Sequence, residues 1–197
     1  MTTETHDDDE VFRAQLIAVI PHLRAFARSL SGNRDLADDL VQDTMVRAWT
    51  ARASYTQGTN FKAWTFVILR NHFLSQRRRD RFHGDYDADM VEQQLAVAPA
   101  QEDSVMLADV QRALMQLPDS QREALILVGA GGFEYEEAAA ICGVAVGTIK
   151  SRVSRARAAL ELILAEGGTP LHGERQRDTA GMIMAEVDAL TTRIPSG

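Results

Sequence analysis

The chain has 197 residues, 45% of them hydrophobic, which is enough apolar material for one or two domains with their own cores. It contains no run of about 18 apolar residues, so we expect no membrane-spanning helix, and the acidic N-terminus lacks the features of a signal peptide. The single cysteine, Cys142, excludes an intrachain disulfide framework and a cysteine-rich zinc site. Together these features predict a soluble, cytoplasmic protein.

The formal net charge is −7 and the sequence pI is about 5.2, which is unusual for a protein that binds nucleic acid. Acidic residues, however, are concentrated in the first ten positions and between residues 84 and 103, and neither stretch contains a lysine or arginine. The rest of the chain is therefore net basic. We interpret residues 1–10 as an acidic tail, whose run over residues 7–10 is more typical of solvated surface than of a cation site.

The segment from Val11 to Leu30 has the periodicity of an amphipathic helix, or of a pair of helices because Pro21 lies inside it. A second helix is predicted to begin at a cap at or near Asp35. Its inner face would carry Leu36, Leu40, Val41, Thr44, Met45 and Ala48.

Residues 51–60 are typical of a loop, and Phe61–Arg79 of a long helix that begins with aromatic residues and ends in three arginines. Aromatic rings and polar or cationic side chains alternate there, an arrangement suited to single-stranded nucleic acid because every base offers a face for stacking. The rings are Tyr55, Phe61, Trp64, Phe66 and Phe73. The alternative is that most of them form the core of a helical bundle, which is the more common role for Trp64 and Phe66.

Residues 81–103 have the composition of a flexible acidic linker, and residues 104–165 predict a second helical module. Pro118 is expected to start a helix over residues 120–130, which two glycines would end. The core stripe before it would be Val105, Leu107, Ala108, Val110, Ala113, Leu114 and Leu117. The fold class is therefore all-α, with two helical modules joined by a linker and a tail over residues 166–197 that contains an apolar patch at residues 182–190.

Within the second module, Ala139, Gly143 and Ile149 have the spacing of a helix-turn-helix: a small residue at the helix contact, a glycine in the turn and a branched core anchor. The next helix has one apolar stripe, formed by Ile149, Val153, Ala156 and Leu160. Its other positions are Thr148, Lys150, Ser151, Arg152, Ser154, Arg155 and Arg157. Such a face suits the DNA major groove. A lone basic helix is usually only a solvated surface, but the preceding helix and turn favour a DNA-binding role here.

No catalytic arrangement is evident, because the five histidines are scattered and neither a glycine-rich phosphate loop nor a serine elbow is present. We expect no enzymatic activity, no cofactor and no metal. The chain instead combines an element suited to unpaired strands with a helix suited to duplex DNA. This combination is typical of a protein that recognises and opens promoters.

Residues 37–49, ADDLVQDTMVRAW, and 61–79, FKAWTFVILRNHFLSQRRR, resemble region 2 of bacterial sigma factors, and Leu117–Arg157 resembles their region 4. The resemblance covers roughly residues 10–80 and 104–165. The short linker leaves no room for region 3, which is the layout of the extracytoplasmic function (ECF) group. The segment ILVGAGGFEYEEAAAICG resembles the corresponding sequence in the EcfG subgroup, the general stress response sigma factors of alphaproteobacteria.

The resemblance implies roles for three sets of residues. The set that would dock on the β′ clamp helices of core RNA polymerase is Asp39, Gln42 and Asp43. A second set would bind the −10 element, and those of its residues that lie in or beside the loop would surround a flipped base. The set is Tyr55, Asn60, Phe61, Arg70, Asn71, Arg77 and Arg78. The exposed residues of the helix over 148–157 would bind a GGAAC-like −35 element, with Arg152 and Arg157 on phosphates.

The resemblance also implies an anti-sigma partner of the NepR type, displaced by the phosphorylated response regulator PhyR. Such a partner could wedge between the modules and dock near Val105–Leu117. Two alternatives stay open. A DNA-binding regulator would need only the region 4 module, and a sigma mimic would bind the anti-sigma factor without supporting initiation.

Overall fold

A computed structural model describes residues 4–83 and 110–166, and all regular structure in these two ranges is helical, as predicted. The chain divides into two compact units, Met1–Tyr86 and Asp87–Gly197. The predictions for residues 84–103 of the linker, for residues 104–109 and for the tail beyond Glu166, with its apolar patch, lie outside the described residues.

The first unit is built from α1 (Glu4–Ser31), α2 (Arg34–Thr50), a short 3₁₀ turn (Arg52–Ser54) and α3 (Phe61–His83). The three long helices pack against one another around a fully buried apolar centre. Phe26 and Phe66 stack there with ring centroids 4.7 Å apart. Phe66 is therefore a core residue, as its sequence context indicated.

Helix α1 runs without a break through Pro21, so the segment forms one helix and not a pair. It also begins at Glu4, so most of the stretch interpreted as an acidic tail is helical. Acidic side chains in the first turns of a helix interact favourably with the positive end of its dipole, which explains why this stretch can be helical.

The cap of α2 is Asn33, two residues before the predicted Asp35, and its Oδ1 accepts a hydrogen bond from the Leu36 N–H at 3.0 Å. Leu36 was predicted on the inner face of α2, but 39% of it is exposed. The reason is geometric, because at 3.6 residues per turn Leu36 lies at the edge of the buried stripe, of which Leu40 is part.

The second unit contains α4, described over residues 110–116, followed by α5 (Asp119–Val128), α6 (Tyr135–Cys142) and α7 (Val146–Glu166). Pro118 is the residue immediately before α5, in agreement with its predicted place at a helix start. The helix ends at Val128, earlier than predicted, and backbone bonds from Gly131 and Phe133 then close its C-terminal end.

Arg122 of α5 is a buried cation that the sequence pattern did not indicate. Its Nη1 donates to the backbone oxygens of Met115 and Leu117 at 3.3 and 3.2 Å, and its Nη2 contacts Asp119 Oδ1 at 2.8 Å. The guanidinium therefore satisfies carbonyl groups left open where α4 ends, and joins α4 to α5.

Candidate functional site

The helix-turn-helix is present as predicted, in α6 and α7. Gly143 ends α6 with φ 65° and ψ 38°, the left-handed conformation that glycine adopts without strain. Ala139 is buried where α6 meets its neighbours, and its carbonyl accepts the Val144 N–H at 3.1 Å across the turn. Ile149 is fully buried. Each of the three predicted positions therefore does what its spacing indicated.

The apolar stripe of α7 is also confirmed, since all four of its predicted residues are buried. The side chains of Lys150, Ser154, Arg155 and Arg157 are exposed, and those of Thr148, Ser151 and Arg152 are partly exposed. Because the buried stripe takes the opposite side, all seven predicted side chains lie along one solvent-facing surface of the helix.

Position around the helix separates these seven residues into a centre and two edges. At 3.6 residues per turn, Ser151, Ser154 and Arg155 lie near the middle of the face, whereas Arg152 and Arg157 lie on its two opposite edges, about 140° apart across the buried side of the helix. Arg155 is held against its own helix, its Nε donating to the Ser151 carbonyl at 3.2 Å and its Nη2 to Ser151 Oγ at 3.1 Å. Lys150 Nζ lies 5.7 Å from the centre of the Tyr135 ring, which links α7 to the start of α6.

A second polar face runs along the C-terminal half of α3. Arg70, Asn71, Arg77 and Arg78 fall within about a third of the helix circumference, because they are spaced by one and by seven residues. Asn71 and Arg78 are exposed, and Arg70 and Arg77 are half-buried. The guanidinium of Arg77 lies 5.7 Å from the centre of the Phe73 ring. The four predicted −10 residues of α3 therefore share one surface.

The loop residues predicted with them lie at the other end of α3, in an aromatic cluster around Phe12 of α1. Phe12 lies 5.2–6.2 Å, between ring centroids, from each of the other four rings. These rings are Trp49, Tyr55, Phe61 and Trp64. Tyr55 and Phe61 meet edge to face with ring centroids 5.0 Å apart, so part of the surface of each ring is covered by packing within the cluster. The sequence pattern missed Phe12, which is distant along the chain from the loop, and Trp49, which lies two residues before the loop begins.

The loop itself is held by local hydrogen bonds. Tyr55 Oη donates to the Thr59 carbonyl at 2.8 Å, and Asn60 Oδ1 accepts from the Ala63 N–H at 3.0 Å, which caps α3. Two further contacts come from the start of α1: Arg52 Nε meets Asp9 at 3.1 Å and Gln57 Nε2 meets Asp8 at 3.4 Å. Asn60 is exposed at the open end of this loop.

The predicted protein-binding residues Asp39, Gln42 and Asp43 are all exposed on one side of α2. Val46, one turn further along the same side, is 66% exposed and was not anticipated. An acidic surface with an exposed apolar residue is suited to a basic partner that also buries apolar area. Asp43 is further bonded to the buried His72 of α3, with 2.8 Å between Oδ2 and Nε2.

Within residues 4–83 and 110–166, no three His, Cys, Asp or Glu side chains are grouped to hold a metal ion. None of the helices in these ranges is both long enough and apolar enough to cross a bilayer.

Comparison with known proteins agrees with the two-unit architecture. Residues 17–83 match the family Sigma-70 region 2, and residues 107–160 match the family Sigma-70, region 4. The ECF RNA polymerase sigma factor EcfG of Rhodopseudomonas palustris (strain TIE-1) is 53% identical over 153 residues, which cover 77% of this chain and 84% of the relative.

Two solved structures are also similar. One is the sigma factor RpoE in complex with the anti-sigma factor NepR from Bartonella quintana, with a TM-score of 0.71, 53% identity and coverage of 79% of this chain and 98% of that one. The other is CnrH in complex with the cytosolic domain of CnrY, with a TM-score of 0.60, 29% identity and coverage of 80% and 90%.

A region 2 unit followed by a region 4 unit defines the class of protein as a sigma factor. More particularly, the chain belongs to the ECF RNA polymerase sigma factors and resembles EcfG within that family. It functions in transcription initiation, in the branch that serves the general stress response.

Proposed function

We propose that the two units divide the work of initiation, with residues 11–80 binding core polymerase and the −10 element and residues 104–165 binding the −35 element. The observation that carries this proposal is the set of three separate polar faces: an acidic one on α2, and basic ones on α3 and α7. The family matches over residues 17–83 and 107–160 support these boundaries. The protein acts by binding alone, and it does so in the cytoplasm, where core polymerase and the promoter are.

In the −35 complex, the centre of the α7 face reads base edges and its two edges hold phosphates. Ser151, Ser154 and Arg155 are near the centre, and Lys150 extends from its side. The separation of Arg152 and Arg157 around the helix matches the two walls of a major groove, each lined by a phosphate backbone. Thr148 lies in the first turn of α7, where backbone N–H groups also favour a phosphate. The recognised sequence is GGAAC-like.

At the −10 element, the arginines and Asn71 of α3 bind the DNA, and the loop over residues 51–60 receives an extruded base. Extrusion costs a few kcal/mol, which stacking and hydrogen bonds in a pocket must return. Tyr55 and Phe61 offer partly exposed ring surface, and Asn60 offers an amide beside them. The aromatic cluster around Phe12 supports this loop from behind.

Core polymerase binds through Asp39, Gln42 and Asp43, which meet the β′ clamp helices. Two carboxylates and an amide on one exposed surface complement a basic coiled coil, and charge complementarity of this kind sets orientation and association rate. Val46 adds apolar contact area about one turn further along the same side of α2.

An anti-sigma protein of the NepR type is the proposed inhibitor. The support is the similarity, at 53% identity, to a sigma factor whose solved structure is a complex with NepR. Such a partner would prevent initiation by covering surfaces that core polymerase needs. Val105–Leu117, the docking area expected from the sequence, is described only from residue 110 onward.

Run-off transcription tests the proposed function directly. Core polymerase alone and core polymerase with the purified chain are compared on a template with a GGAAC-type −35 element and on one with that element scrambled. We expect transcripts only with the chain and the intact element. A plain DNA-binding regulator would bind the template without core polymerase and give no transcript, and a sigma mimic would bind NepR but neither polymerase nor promoter.

A further inference from the structure

The contact between His72 and Asp43 joins the interior of the first unit to its acidic surface. His72 lies on α3 with 3% of its side chain exposed, whereas Asp43 lies on α2 with 55% exposed. The 2.8 Å between Nε2 and Oδ2 is the length of a strong, charge-assisted hydrogen bond. Because an ionised carboxylate can only accept, the imidazole donates through Nε2. A buried donor therefore fixes one oxygen of an exposed acid.

This arrangement limits the directions that the carboxylate can take. Among the described residues, no other side chain bonds to Asp43. Without His72 the carboxylate would move among several rotamers in water, since more than half of the side chain is exposed. With His72 in place, Oδ2 is occupied and Oδ1 remains available on the same side of α2 as Asp39 and Gln42. The bond therefore presents one acceptor to a partner in a defined position.

The position of His72 also explains why a histidine suits this role. Its ring forms part of the wall of a surface cavity of about 370 Å³ between α2 and α3, together with Arg47, Asn71 and others. An apolar residue could fill the same space and complete the core, but it could not donate to Asp43. The hydrogen bond, and not the volume of the ring, is what distinguishes histidine here.

We propose that His72 is a positioning residue for the binding of core RNA polymerase, because it holds the Asp43 carboxylate in the orientation that the β′ subunit meets. This inference rests on the proposed function of Asp39, Gln42 and Asp43 as the polymerase-binding set. A side chain that is already fixed loses less conformational entropy on binding than a free one. The contribution of His72 to affinity is therefore about three- to tenfold.

A double-mutant cycle on the full-length chain tests the proposal. Affinity for core polymerase is measured for the wild type, His72→Leu, Asp43→Ala and the double variant, with thermal unfolding recorded for each. We expect His72→Leu to weaken binding about three- to tenfold, and to have no further effect once Asp43 is alanine. His72→Gln is the matched control, since its amide nitrogen can replace Nε2 as a donor, and it should bind within about twofold of the wild type.

The results separate the possible failures. If His72→Leu weakens binding equally with and without the Asp43 carboxylate, His72 acts through the core and the proposal is wrong. If Asp43→Ala weakens binding but a folded His72→Leu does not, only the role of His72 fails. If Asp39→Ala and Asp43→Ala both bind polymerase like the wild type, the assignment of the α2 surface itself fails.

A spectroscopic measurement covers the case in which His72→Leu does not fold. The imidazole nitrogens of His72 are observed by NMR in the wild type and in Asp43→Ala, which removes the acceptor oxygen by replacing a side chain that is 55% exposed. We expect a protonated, hydrogen-bonded Nε2 in the wild type and a clear change in the variant. Identical His72 signals in the two proteins would show that no such bond exists and would overturn the proposal.

Discussion

Arg155 is the residue of α7 whose replacement gives the sharpest test of promoter reading. It is exposed near the centre of the recognition face, and in the free protein its guanidinium makes two hydrogen bonds to Ser151, at 3.2 and 3.1 Å. On DNA it would exchange these bonds for the edge of a guanine. A bidentate contact of this kind discriminates against a wrong base by about 1–3 kcal/mol.

The bonds to Ser151 decide where in that range the effect falls. They are lost when Arg155 reaches a base, so we expect the lower half of the range, about 1–2 kcal/mol. This corresponds to roughly a 5- to 30-fold loss of discrimination for Arg155→Ala. The assay is competition binding, by holoenzyme, between the GGAAC-type promoter and versions with one −35 base pair changed at a time.

Arg157→Ala provides the matched control, because it removes the same type of side chain from an exposed position on the same helix. As a predicted phosphate contact, it should weaken binding to all promoters equally and reduce the salt dependence of log K by about one counterion. If Arg155→Ala also weakens all promoter variants equally, Arg155 contacts only the backbone, and our interpretation of the centre of the face is refuted.

Three further predictions concern other parts of the molecule. Replacing Asp39 and Gln42 together with alanine should lower affinity for core polymerase in a pull-down while leaving binding of the full chain to −35 duplex unchanged; an unaltered polymerase complex would contradict the assignment of that surface. Arg122→Met should lower the free energy of unfolding of the second unit by about 2 kcal/mol, since two carbonyls lose a buried donor. Denaturant titration measures this change, and an unshifted midpoint would show that Arg122 contributes less than we infer. Gly143→Ala should cost about 1–2 kcal/mol by the same titration, because a Cβ there meets no atom within 4 Å and only the left-handed backbone opposes it; stability equal to wild type would mean that the turn relaxes.

The all-helical fold and the face of α7 could be predicted from the sequence because both depend on local periodicity. Ile149 and Val153 are four residues apart, and their burial follows from the pitch of a single helix. The left-handed turn at Gly143 was equally local. Features of this kind are determined by a short stretch of chain, so they can be predicted without knowledge of the tertiary structure.

What the sequence did not reveal depends on contacts between distant segments. Phe12 joins the aromatic cluster from α1, and His72 reaches Asp43 across 29 positions of the chain. The burial of Arg122 was hidden for a related reason. An arginine in an exposed-looking position can be buried when the end of a neighbouring helix presents carbonyls to it, and periodicity does not report that.

The packing of Phe12 has a consequence for the timing of promoter opening. Rings from α2, from the loop and from α3 converge on Phe12, so the loop that carries Asn60 is already ordered before any DNA arrives. The entropy of ordering the loop is lost during folding, and an unpaired base would enter a nearly rigid receptacle. Separation of the DNA strands, and not rearrangement of the protein, would then limit the rate of promoter opening.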